Sequence, residues 1–142
     1  MYRDILLAVD LANEKTQSKA VQTAITLAKT FGARLHVITV VPDFGMSIVS
    51  GYFPKDFEKQ ALAAADKALH EFTAKAVPPG IDVQHIVGHG TIYREILRYA
   101  DETSCDLIVM ASHRPELQDY LLGPNAARVV RHSKQSVLVV RD

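Results

Sequence analysis

The chain reads as an α/β protein built on one doubly wound parallel sheet. Three observations predict this. Five apolar runs recur along the 142 residues, a helical period follows each of the first four, and the first and last runs are apolar on both faces. Repeated strand–helix–strand units give parallel strands, right-handed crossovers and helices on both sides of the sheet. No internal repeat and no linker divides residues 1–142, so a single domain is expected.

The first strand is Ile5–Leu6–Leu7–Ala8–Val9, and it ends at Asp10. An amphipathic helix begins near Glu14, with Ala20, Val21, Ala24, Ala28 and Phe31 forming one buried stripe and Gly32 as its C′ residue. The second strand, Leu35–Val41, stops at Pro42. Residues 43–54 break every period, yet Met46, Ile48, Val49, Tyr52 and Phe53 make them apolar. That combination predicts a lid over a ligand or a contact with another subunit. The second helix sets Phe57, Ala61, Ala65, Ala68 and Phe72 on one face and ends at Pro78–Pro79–Gly80. The third strand runs from Ile81 to Val87 and alternates, the pattern of a sheet edge. Gly88–His89–Gly90 reads as a turn after that strand. It begins like a dinucleotide fingerprint, but Tyr93 holds the third glycine position. His85 and His89 are four apart on a strand and a turn, which does not make a metal pair. A third helix starts at Thr91 and turns Ile92, Ile96 and Ala100 inward. The fourth strand is Leu107–Met110. The fourth helix, from Pro124, carries Ala127 and Val130 as its apolar side. The fifth strand is Ser136–Val140.

Composition narrows the function classes. Hydrophobic residues make up 48% and charged residues 23%, a globular balance with a sizeable core. Sixteen Lys and Arg offset sixteen Asp and Glu, and no basic block exceeds the pair Arg128/Arg131, which argues against a nucleic-acid surface. The single Cys105 excludes an internal disulfide and reads as a small buried filler. No apolar run reaches the length of a membrane span. Met1–Tyr2–Arg3–Asp4 leads straight into strand without a signal-peptide pattern, so a cytoplasmic protein is expected.

Ligands of such sheets bind beyond the carboxyl ends of strands, where the winding reverses. Asp10 ends the first strand. Ala111–Ser112–His113–Arg114 follows the fourth, and Gly123–Pro124–Asn125 opens the next helix. A helix start offers unpartnered N–H groups and the positive end of the macrodipole, so phosphate can sit there.

Over its whole length the chain resembles the universal stress protein family. The resemblance lies in the start Tyr2–Arg3–Asp4–Ile5–Leu6–Leu7–Ala8–Val9–Asp10, in His36–Val37–Ile38–Thr39–Val40, and in Asp106–Leu107–Ile108–Val109–Met110–Ala111–Ser112–His113–Arg114–Pro115. The ending, Leu121–Leu122–Gly123–Pro124–Asn125–Ala126–Ala127–Arg128–Val129–Val130–Arg131–His132 and then Ser136–Val140, is most similar to the F/G-type branch. The resemblance implies a five-stranded sheet in the order 3-2-1-4-5, which sets the switch point between the first and fourth strands. It also implies binding of ATP or ADP, possible use of Mg²⁺, and a role in stress responses. Nucleotide-binding relatives carry G-x2-G-x9-G-[S/T]. Here Ala111 and Arg114 hold the first two glycine positions, the following gap is eight residues, Gly123 matches, and Pro124 replaces the hydroxyl residue.

The residues that would hold the nucleotide are therefore Ala8, Val9 and Asp10, with Val40, Met110, Ala111, His113 and Arg114, and with Gly123, Pro124, Asn125 and Ala126. The family places an acidic residue at Asp10 to accept from the adenine amino group; the alternative is a loop aspartate capping the first helix. By family position Ala8 and Val40 would wall the adenine slot. Arg114 would meet phosphate, or stand solvated in its loop. Pro124 suits the first helical position but removes one donor. Asp43 is the nearest loop carboxylate for Mg²⁺. The apolar last strand leaves an edge that an isologous homodimer would cover, the alternative being cover by the chain's own helices; the resemblance favours the dimer, and the F/G-type likeness allows a tetramer.

A P-loop lysine motif is absent, as is the His-x-Gly-His or Ser-Gly-Gly signature of adenylylating relatives. The leading expectation is an ATP-binding regulatory protein whose occupancy an unidentified protein partner reads. The alternatives are a slow ATPase and an oligomeric interaction protein with a degenerate site.

Overall fold

The computed structural model describes residues 1–42, 56–112 and 124–141. Among them, five strands are β1 (Asp4–Ala8), β2 (Arg34–Pro42), β3 (Val83–Gly90), β4 (Leu107–Ala111) and β5 (Ser136–Val140). Four α-helices are α1 (Ser18–Phe31), α2 (Phe57–Ala76), α3 (Ile92–Glu102) and α4 (Pro124–His132). The strands are parallel and ordered β3-β2-β1-β4-β5, so β1 is central and the winding reverses between β1 and β4.

Both sheet faces are apolar because both are covered. Ile5 and Leu7 of β1 pack with Leu35 and Val37 of β2 against α1 and Leu69 of α2. Leu6, Ile38, Ile86, Ile108 and Met110 point the other way, onto Ile96 and Ala100 of α3 and Ala126 and Val129 of α4. Cys105 is buried in that second core, and burial pushes its thiol up to about 11, so it is packing rather than a thiolate nucleophile.

Several element boundaries differ from expectation for identifiable reasons. The first helix does not begin as α-helix at Glu14. Glu14–Gln17 form a 3₁₀ turn, because Thr16 bonds the Asn13 carbonyl through both its N–H and its hydroxyl. Gly32 does close α1, at φ 62°, and its N–H returns to Lys29. α2 stops because Val77 precedes Pro78 and is extended. Gly88–His89–Gly90 is not a turn after the third strand. It is the end of β3, paired with Val40–Pro42 of β2. Gly88 is small because a Cβ there would sit 3.1 Å from Glu95 Cβ, while Gly90 holds φ 132°. In α4 the buried pair is Ala126 and Val129, not Ala127 and Val130. Adjacent Ala–Ala and Val–Val pairs let the stripe be phased either way, and packing chooses the earlier phase.

Polar groups inside this frame are partnered. His36, 2% exposed, bonds Asp4 Oδ1 at 2.9 Å and Gln84 on the other ring nitrogen. The Asp106 carboxylate accepts the N–H groups of Arg3 and Asp4, tying the chain start to β4. At the α2–β3 junction the His70 and His85 rings stack at 3.7 Å, and the Thr73 hydroxyl meets His85 Nε2 at 2.6 Å.

Burial, and then the neighbouring His70, lower the His85 pKa below 6.5. The unfolded chain therefore binds the proton more readily than the fold does. The associated stability is fully present above pH 6.5 and is lost as pH falls toward the depressed value. Urea midpoints should fall on acidification through this window, and His85→Gln should reduce the drop; an identical drop in the variant would assign it elsewhere.

Candidate functional site

The carboxyl ends of β1 and β4 point into one cleft of about 460 Å³. Its position follows from topology. Val9 N–H still bonds the Ile38 carbonyl of β2 at 2.9 Å, after which the chain leaves the sheet toward α1. β4 ends at Ala111, and Ser112 N–H bonds the Val140 carbonyl. The helices that follow lie on opposite sheet faces, α1 on one and α4 on the other, and the cleft lies between the two strand ends.

Nine of the twelve residues singled out from sequence line this cleft. Ala8, Val9 and Asp10 come from the end of β1. Val40 comes from β2, and Met110 and Ala111 from β4. Pro124, Asn125 and Ala126 come from the first turn of α4. His113, Arg114 and Gly123 lie outside the described residues, as do Asp43 and the apolar 43–54 segment. Pro124 is the first residue of α4, the position that tolerates its missing N–H, and the N–H groups of Asn125 and Ala126 stand in the same turn.

Asp10 has a local role as well as its place in the cleft. Its Oδ1 accepts from Ala12 N–H at 3.0 Å and its Oδ2 from Asn13 Nδ2 at 2.9 Å, an Asx-type turn. The carboxylate keeps further lone pairs, since two oxygens offer about four acceptor sites. The turn is held from beneath by Gln17, which is 4% exposed. Gln17 Oε1 accepts the Asp10 N–H at 2.9 Å, and its amide nitrogen donates to the Asp10 carbonyl.

Gln17 is the residue that reading the sequence missed. A signal existed: Gln17, Val21, Ala24 and Ala28 fall on one helical stripe, so a glutamine sits where an apolar residue belongs. Ile92 was expected inward. It is 36% exposed and borders the cleft, while Ile96 below it is buried. Between them on α3, Glu95 accepts the His89 N–H at 3.0 Å and a guanidinium N–H of Arg98 at 2.9 Å. The hydrogen bond from Arg98 holds the Glu95 carboxyl below its usual value, burial notwithstanding. Among the described residues no group of three or more His, Cys, Asp or Glu side chains could hold a metal ion.

The class is thus a doubly wound α/β protein with a ligand-sized, largely apolar cleft at its switch point. The universal stress protein family model matches residues 1–141, and the chain belongs to that family. It is 32% identical to universal stress protein G of Escherichia coli O157:H7, over 99% of this chain and all of that protein, in keeping with the F/G-type resemblance of its last third. A universal stress protein solved in complex with cAMP shares the fold at a TM-score of 0.70 and 24% identity, covering 99% of this chain and 97% of that one. One from Archaeoglobus fulgidus in complex with dAMP does so at 0.62 and 17%, covering 99% and 98%.

Replacing Gln17 by Leu keeps the volume and removes both bridging bonds. The Asp10 N–H and carbonyl would lose their partner, so Gln17→Leu should cost about 1–3 kcal/mol in urea unfolding. A cost near zero would show that solvent satisfies the turn unaided.

Proposed function

We propose that this protein binds an adenine nucleotide, ATP or ADP, in the switch-point cleft and acts as a regulatory protein of the stress response. The carrying observation is convergence. Residues far apart in sequence, from β1, β2, β4 and the start of α4, meet around one cleft at the position where folds of this winding take ligands. Its volume suits a nucleotide, since small-molecule sites run about 300–1,000 Å³. Ala8, Val40 and Met110 supply apolar wall for a purine, and Asp10 supplies an acceptor for its amino group. The N–H groups that open α4 and the macrodipole behind them favour an anion. The complexes of two structural relatives with cAMP and dAMP support the same ligand class. The described residues present no Mg²⁺ cage, so any such ion would be held largely by the phosphates and by residues outside the described set.

Occupancy would then be read through assembly or by a protein partner, in the cytoplasm. Assembly has a candidate surface. β5 is a sheet edge of five residues with Leu138 36% exposed, and Val130 on the covering α4 is 45% exposed. An isologous homodimer through β5 would bury both, and pairs of such dimers would give a tetramer. No helix among the described residues is long and apolar enough to cross a membrane.

A second reading rests on the Asp10 turn. Both carboxylate oxygens already accept local bonds, so Asp10 could serve the loop alone in an oligomeric protein that binds no nucleotide. Titration calorimetry separates the two. ATP should bind the purified protein, and Asp10→Ala should weaken it about tenfold, the scale of one charge-assisted hydrogen bond. No heat and no thermal shift at millimolar ATP would leave the second reading standing. Light scattering at micromolar concentration should give at least twice the chain mass of 15.7 kDa, against which a clean monomer would count decisively.

A further inference from the structure

The cleft has an electrostatic gap. Its described lining contains one acid, Asp10, and no lysine or arginine, whereas a nucleotide's phosphate chain carries several negative charges. The cations stand just outside it. Tyr93 follows the cleft-lining Ile92 at the start of α3, and Arg128 lies four residues, one helical turn, beyond the cleft-lining Pro124 on α4. The two helices pack against each other and bring these side chains together. Arg94 Nε donates to the Tyr93 hydroxyl at 3.1 Å, and its guanidinium carbon lies 5.7 Å from the ring centroid. The Arg128 guanidinium carbon lies 5.3 Å from the same centroid, and the His132 ring stacks on Tyr93 at 6.2 Å.

Arg98, one turn further along α3, shows what is unusual here. It is held by Glu95 at 2.9 Å and Glu102 at 3.2 Å, so its charge is matched within the fold. Arg94 and Arg128 form no ion pair among the described residues. Both guanidinium groups lie within about 6 Å of one ring centroid, and cation–π attraction to that ring leaves their charge unneutralised. An anion would neutralise it, and the planar guanidinium fork matches phosphate oxygens in geometry. The phenol feels the same field: the hydrogen bond from Arg94, then the charges of Arg94 and Arg128, draw the Tyr93 hydroxyl below its ordinary value of 10.0.

We propose that Tyr93, Arg94 and Arg128 form an anion clasp on the α3–α4 rim of the cleft that takes the phosphate chain of the bound nucleotide. This rests on the nucleotide reading of the cleft. The clasp supplies the charge that the start of α4 lacks, where Pro124 has no N–H to donate.

The test compares three probes, ATP, adenosine and inorganic tripolyphosphate, by calorimetry on wild type and on Arg94→Ala/Arg128→Ala, with Arg98→Ala as the control cation. ATP should bind wild type about tenfold or more tighter than adenosine, the scale of charge-assisted phosphate contacts. The double variant should lose that margin, leave adenosine affinity unchanged and no longer bind tripolyphosphate. Arg98→Ala should keep the margin. The ATP margin in wild type should also shrink with added salt. Unchanged ATP and tripolyphosphate binding in a folded double variant overturns the clasp while leaving the cleft reading intact. Arginine-dependent binding of tripolyphosphate without any adenosine binding supports the phosphate site and removes the cleft reading. Equal losses for adenosine and ATP overturn the clasp in favour of a packing role for the two arginines.

Discussion

Covering both faces of a parallel sheet leaves little room for polar chemistry anywhere but at the strand ends. Leu6 and Leu7 of β1 and Ile108 and Val109 of β4 are all fully buried, successive residues pointing to opposite cores. Two polar residues are buried within the described strands, Thr39 and His36, and His36 is there with Asp4 and Gln84 on its two ring nitrogens. At the amino ends the polar groups secure the strands: Asp106 accepts from the chain start, and Arg34 pairs with Asp82 at 2.8 Å. At the carboxyl ends β1 and β4 part company, and the space between them is the cleft.

The two sides of that cleft differ in charge. On the β1 side, Asp10 sits in a turn that its own carboxylate and the buried Gln17 together hold. Across the middle the wall is apolar, through Val40, Met110 and Ile92. Beyond the α3–α4 rim stand Arg94 and Arg128, drawn to one tyrosine ring and paired with no acid among the described residues. The order is acceptor, apolar wall, cation. An adenine nucleotide has the complementary order of amino group, purine and phosphate chain, so the proposed clasp extends the proposed ligand reading to residues that reading does not use.

The strands and the helical stripes were legible because burial imposes a period on them. β1, β2, β4 and β5 stand where continuous apolar runs predict, and Gly32 terminates α1 because only its left-handed φ allows that close. Strand order was not legible from periodicity; it came from the family resemblance, and TM-scores of 0.62–0.70 over nearly the whole chain agree with it. The missed details share a cause, namely tertiary contacts that leave no periodic trace. Gly88 is small because Glu95 of α3 lies against it, and that neighbour is decided by packing. The phase of α4 is ambiguous in Ala126–Ala127 and Val129–Val130 until a sheet is laid beneath it. Gln17 was detectable as a polar residue within an apolar stripe, but its partner is backbone, and backbone partners are invisible to residue pattern. Of the candidate ligand residues, those on strand ends and at the helix start lie where the switch-point rule puts them. Of the departures from the family fingerprint, Ala111 and Pro124 line the cleft, while Arg114, like the matching Gly123, falls outside the described residues.

The two edges of the sheet are not equivalent, and this bears on how occupancy could be read. β3 is an edge whose polar side chains are engaged within the chain: Gln84 with His36, His85 with Thr73, and His89 with Glu58 at 3.0 Å. β5 offers a short apolar edge instead, overlain by α4 with its exposed Arg128 and Arg131 and followed by the exposed Lys134. Pairing two copies through β5, as proposed above, would bring two such cationic helices toward one another. Apolar burial at the edge would favour the pair, and like charge along α4 would oppose it. An anion held by Arg128 would weaken that opposition, so ligand binding and pairing would favour each other, and by linkage each to the same extent. A single helix would thereby join the phosphate end of the cleft to the assembly surface without requiring any strand to move.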